Sequence, residues 1–188
     1  LSNFFKFSQY FAHLLELNAQ DNRNAFAQQM HRLNQWEVNV AYPFLMRAFD
    51  HVASGEAVKE QLVQVMSMIE SFVVRRTVCG VPTNRLRSVF AQMSAQVDFK
   101  NIVESSHEFL TKNQWPSDDE FRSDFIGFRL YIRSRLARTR LVLTTLERSF
   151  GHKEAPEFTD QITIEHIMPQ TLSGDWKRDL GANAPAVH

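Results

Sequence analysis

Glu165 and His166 stand side by side in the run Ile162-Thr163-Ile164-Glu165-His166-Ile167-Met168-Pro169, between β-branched residues and a proline. A carboxylate is a hard oxygen donor for a divalent cation, and an imidazole exchanges a proton near neutral pH. The pair therefore carries two of the groups used in metal-assisted hydrolysis. Isoleucine and threonine favour extended backbone, and proline ends it. Neighbours on an extended segment point to opposite sides, so a turn ahead of Pro169 must bring both side chains to one reacting group. His13, His31, His51, His107 and His152 lack this context and read as structural or simply exposed.

Helices must position that pair, since most of the chain has helical period. Phe4, Phe7, Phe11, Leu14 and Leu15 form an apolar stripe from about Asn3 to Leu17, and Asn22 can cap a following helix through Gln35. Pro43 suits a first helical turn, so a third helix is expected from Pro43 to Ala53, ending near Gly55. Glu56 to Cys79 reads as one long helix stopped by Gly80, with Pro82 just beyond. Thr83 is expected to cap a helix to about Ser94, and Asp98 to begin another through Lys112. Gln114-Trp115-Pro116 breaks the pattern, and Ser117-Asp118-Asp119-Glu120 has the form of a capping box. A basic helix follows from Phe128 to Phe150, closed by Gly151. Gln161 to Glu165 is the strand candidate, and Leu172 to Leu180 a short helix anchored by Trp176. The expected organisation is a helical domain over 1–150, a linker over 151–160 and a separate C-terminal piece over 161–188. The fold class is mainly α.

Composition bounds the function. The chain has 188 residues, 44% of them hydrophobic and 16 of them phenylalanine, enough for a core without covalent staples. A single cysteine, Cys79, excludes internal disulfides and multi-thiolate zinc sites; it suits a reducing cytoplasm and reads as a buried structural thiol. Twenty-one basic residues balance twenty-one acidic ones, so contact with a polyanion has to be local. No apolar run approaches the roughly eighteen residues of a membrane span, and no signal peptide is evident. A cytoplasmic protein is expected.

From about Gln61 to Gly181 the sequence resembles GmrSD-type, modification-dependent (type IV) restriction endonucleases. The resemblance is carried by Ser71-Phe72-Val73-Val74-Arg75-Arg76, then Cys79-Gly80-Val81-Pro82-Thr83-Asn84-Arg85-Leu86, then Trp115-Pro116-Ser117-Asp118-Asp119-Glu120-Phe121, and last Thr163 to Gln170 with Trp176 and Leu180-Gly181. The first sixty residues match only loosely. The resemblance implies an HNH (ββα-metal) nuclease whose first strand and loop lie at the C-terminal end of this chain, cutting foreign or modified DNA in phage defence with Mg²⁺ or a similar cation. By matching position, His166 is the expected general base and Glu165 an expected metal ligand. It also implies a nucleotide-using N-terminal domain, of which this chain has no phosphate loop, and a further Gly-Asn-Leu-Thr-Leu-like strand and helix beyond His188. A chain ending at His188 is therefore expected to hold an incomplete, inactive site. Self-association, or docking of the N-terminal domain onto the helices, is left open. The rival reading is a helical interaction or specificity module with a degenerate nuclease remnant.

Two arginine clusters have competing readings. On a helix from Phe128 to Phe150, Arg129, Arg133 and Arg140 fall near one side and are the candidate DNA-binding residues. The plainer reading is a solvated face with acidic partners inside the fold. For Arg75 and Arg76, tying the end of the long helix to the Thr83-Asn84 turn is the leading interpretation and a phosphate contact the second.

Overall fold

The computed structural model describes residues 2–15, 24–55, 58–151, 162–165, 169 and 171–183. Its helices, in chain order, are α1 (Ser2–Leu14), α2 (Ala25–Gln35), α3 (Tyr42–Ala53), α4 (Lys59–Val78), α5 (Leu86–Gln96), α6 (Ile102–Lys112), α7 (Asp118–Gly127), α8 (Leu136–Ser149) and α9 (Gly174–Leu180). Short 3₁₀ turns at Asn39–Ala41, Phe99–Asn101, Arg133–Arg135 and Gly181–Asn183 punctuate them. No strand occurs among the described residues, and none of the described helices is long and apolar enough to cross a membrane.

The chain divides into two compact units, Leu1–Leu141 and Val142–His188. This division falls inside α8, upstream of the 151–160 linker expected from composition. In the first unit α4 is the central element, packed against α2, α3, α6 and α7. Val65, Met66, Ile69 and Phe72 recur at helical spacing and are wholly buried. The Phe72 ring meets Phe90 of α5 and Trp115 edge-on, at 6.3 and 6.1 Å between centroids.

Local chemistry sets the helix ends. The Asn24 side chain accepts the Phe26 N–H at 2.9 Å, while Asn22 lies outside the described residues. Pro43 occupies the first turn of α3, where its missing N–H has no helical partner to lose. Gly80, with φ +65°, ends α4 in the left-handed conformation that favours glycine. At α7 the capping box is complete: the Ser117 N–H donates to Glu120 Oε2 at 2.7 Å, and the Glu120 N–H donates to Ser117 Oγ at 3.3 Å.

Several expectations need correction. The helix expected from Phe128 to Phe150 starts only at Leu136; 128–132 is not helical, with Phe128 and Ile132 extended, and a 3₁₀ turn follows at Arg133–Arg135. The cause is tertiary. The buried Thr139 hydroxyl donates to the Leu130 carbonyl at 2.9 Å, folding the connector back onto α8. Arg129, Arg133 and Arg140 consequently do not share one helix face. Thr83 does not cap α5 with its side chain; its carbonyl accepts the Leu86 N–H at 3.1 Å, and Arg85 holds the N-cap position. Residues 162–165 form no strand with other described residues, and Gln161 lies outside those described.

Candidate functional site

In the second unit, Glu165 is exposed, and its Oε1 accepts the Thr163 hydroxyl at 3.0 Å. Residues i and i+2 of a non-helical run lie on the same side, which lets this contact form within the segment. His166 lies outside the described residues. No cluster of three or more His, Cys, Asp or Glu side chains able to hold a metal occurs among the described residues. Downstream, Ser173 caps α9 through the Trp176 N–H at 3.4 Å, and Arg178 pairs with Asp175 at 2.8 Å. Trp176, expected as an anchor, is 37% exposed.

In the first unit the arginines separate into two kinds. Arg129, Arg133 and Arg135 are exposed, and Arg140 is half-buried. Arg138 turns inward: it donates to the Trp36 carbonyl at 3.0 Å, pairs with Glu37 and lies over the Trp36 ring at 5.5 Å. Burial pushes its guanidinium below the ordinary arginine range; the Arg135 charge adds to this and Glu37 opposes it.

Arg75 and Arg76 make a dense polar junction in the helical body. Arg76, only 2% exposed, donates to the carbonyls of Asn113 at 2.8 Å, Gln114 at 3.2 Å and Pro82 at 3.0 Å, and covers the Phe72 ring. Arg75 donates to the Pro116 carbonyl at 3.1 Å, pairs with Asp118 and lies over the Phe121 ring at 5.3 Å. Two left-handed residues lie at these junctions. Glu37 (φ 56°) and Gln114 (φ 62°) each follow a helix end, and an arginine meets each: Arg138 at the Glu37 carboxylate, Arg76 at the Gln114 carbonyl. The structural reading of Arg75 and Arg76 therefore holds, although their main hold is on residues 113–118 and the Thr83-Asn84 turn is reached only through the Pro82 carbonyl.

Sequence reasoning missed one further cluster. Glu70 of α4, 7% exposed, accepts Gln29 Nε2 at 2.7 Å and Arg32 Nε at 2.8 Å, and its other oxygen meets the Arg32 guanidinium at 2.8 Å. It joins α2 to α4 as a satisfied buried network. The available signal was a glutamate on the apolar side of a long helix, which needs a partner when buried. Cys79 is half-buried and its thiol is pushed up, mainly by burial and then by Asp124, as suits a structural thiol.

Residues 115–186 match the family model described as GmrSD restriction endonucleases, C-terminal domain. Over those residues the chain is similar to GmrSD-type restriction endonucleases. The match opens at Trp115, which packs on Phe72 and lies beside His107 at 5.6 Å between rings, and it includes Glu165 and His166. No curated protein and no solved structure matches the chain. Arg75 thus fastens α4 to Pro116 and Asp118 at the start of the matched segment, while Arg76 holds Asn113 and Gln114 just before it.

Proposed function

We propose that this chain is part of a metal-dependent DNA endonuclease of a restriction system, acting on foreign or modified DNA in phage defence. The observation that carries this reading is the GmrSD-type match over a segment that contains the Glu165-His166 pair. Glu165 is the metal ligand: an exposed carboxylate, oriented by Thr163, is the hard oxygen donor that Mg²⁺ takes. When bound, the cation supplies Lewis-acid stabilisation of charge on the phosphate. His166 is the general base that accepts a proton from the attacking water.

The helical body has a coupling role in this reading. Arg75 bridges α4 and the start of the GmrSD-type segment, and Arg76 holds the two residues just before it, so a movement of α4 reaches that segment through charged hydrogen bonds. A nucleotide-using domain would act on the nuclease by this route.

Plasmid nicking by the full-length protein, across Mg²⁺ and Mn²⁺ titrations, is the test. His166→Ala should abolish cleavage while leaving DNA binding and folding intact. Undiminished cleavage by that variant would overturn the assignment. Absence of metal-dependent cleavage by the wild-type protein on any modified or unmodified DNA would favour the helical specificity module.

A further inference from the structure

We propose that Arg129, Arg133 and Arg135 form a ridge that tracks the phosphate backbone of duplex DNA. This rests on the endonuclease reading above and adds which surface meets the DNA.

The sequence supplies the charge and the fold sorts it. Residues 125–146 hold five arginines and neither Asp nor Glu, in a chain whose charges balance overall. Arg138 is committed inside the fold to Trp36 and Glu37, and Arg140 is half-buried. Arg129, Arg133 and Arg135 are exposed, and Ile132, 37% exposed, lies between the first two in sequence.

Backbone geometry separates Arg129 from Arg133. On a helix, Arg129 and Arg133 would stand about 6 Å apart along the axis. Four residues of extended chain reach up to about 13 Å, comparable with four base-pair rises of about 3.4 Å. The segment is non-helical, and Phe128 and Ile132 are extended. Electrostatics acts in the same direction. Arg135 lies near enough to Arg138 to oppose its charge, and the neighbouring Glu37 carboxylate is engaged by Arg138. An arriving phosphate therefore meets positive potential on this surface, and its counterions leave as the arginines replace them.

The test is fluorescence anisotropy with a labelled DNA duplex and the full-length protein between about 50 and 200 mM salt, where each neutralised phosphate contributes about −0.9 to the slope of log K against log salt. The triple variant R129A/R133A/R135A should bind at least tenfold more weakly at the low-salt end and lose about 2 to 3 from the slope. The charge-matched control R85A/R87A/K100A should keep the wild-type slope. Equal losses in both would show that net charge alone matters and overturn the ridge. So would salt-insensitive wild-type binding, no wild-type binding, or a preference for an RNA duplex of the same sequence. The two readings fail separately: an unchanged slope in the triple variant, with cleavage still abolished by His166→Ala, removes the ridge and leaves the nuclease.

Discussion

Arg75 and Asp118, 43 residues apart in sequence, meet at 2.5 Å, and the same guanidinium takes the Pro116 carbonyl at 3.1 Å. The end of α4 is thereby joined to the N-terminus of α7, where a carboxylate already favours the positive end of the helix dipole. The Arg75 guanidinium holds the Asp118 carboxyl below the ordinary carboxylate range. Arg75→Ala should destabilise the helical unit by about 1–2 kcal/mol, through the lost carbonyl bond and the lost contact with Phe121. Asp118→Asn should cost distinctly less, because the Asp118 side chain is 66% exposed and water replaces the ion pair. Denaturant unfolding of both single variants and the double variant separates these terms; equal losses would refute the ordering.

Arg76 should be far less replaceable. Its guanidinium serves three carbonyls on two loops while almost completely buried. Arg76→Ala leaves those acceptors unpaired and should cost about 3–5 kcal/mol. Arg76→Lys should recover only part of this, since an ammonium on a flexible stem does not reproduce the planar fork. Full recovery with lysine, read from the urea midpoint, would show that only the charge is needed.

Acid should weaken the fold through four carboxylates held below their ordinary range. Lys6 lowers Asp50, the Asn101 side chain lowers Asp98, Arg75 lowers Asp118, and the Ser117 N–H lowers Glu120. A carboxyl lowered in the folded state contributes stability that is complete above its unfolded value, near pH 4, and is lost as pH falls through its folded value. The melting temperature should stay level from pH 7 to 5 and fall below about pH 4. D98N/E120Q should melt lower than wild type at pH 7 and decline less steeply in acid. Parallel curves for the two proteins would contradict the linkage.

Thr163 gives a test of metal binding separate from the base. If its hydroxyl orients Glu165, Thr163→Val should weaken Mg²⁺ about tenfold or more and raise the Mg²⁺ needed for half-maximal cleavage. Saturating metal should restore its rate. Glu165→Ala should shift the Mg²⁺ requirement further, while His166→Ala should not recover at any metal concentration. Isothermal titration with Mg²⁺ alone reads the same shift without turnover. An unchanged Mg²⁺ affinity in both Thr163→Val and Glu165→Ala would remove Glu165 from the metal site.

The sequence by itself determined what depends on neighbours along the chain. The Ser117 and Glu120 capping box, the left-handed Gly80 after α4, the proline in the first turn of α3 and the buried stripe of α4 were all legible, because groups within a few residues satisfy each of them. The GmrSD-type resemblance was legible for the same reason: it lies in short runs of residues, including the Glu165-His166 pair. The tertiary structure alone decided the fate of the arginines. The run from Arg129 to Arg140 reads as one basic helix, yet Arg138 finds its acceptor carbonyl 102 residues away, and the Thr139 hydroxyl takes the Leu130 carbonyl where no helix forms. Arg75 and Arg76 likewise find carbonyls 41 and 37 residues away. A guanidinium has five donors and no local preference strong enough to fix their use, so its role follows from whichever unpaired carbonyls folding brings within reach.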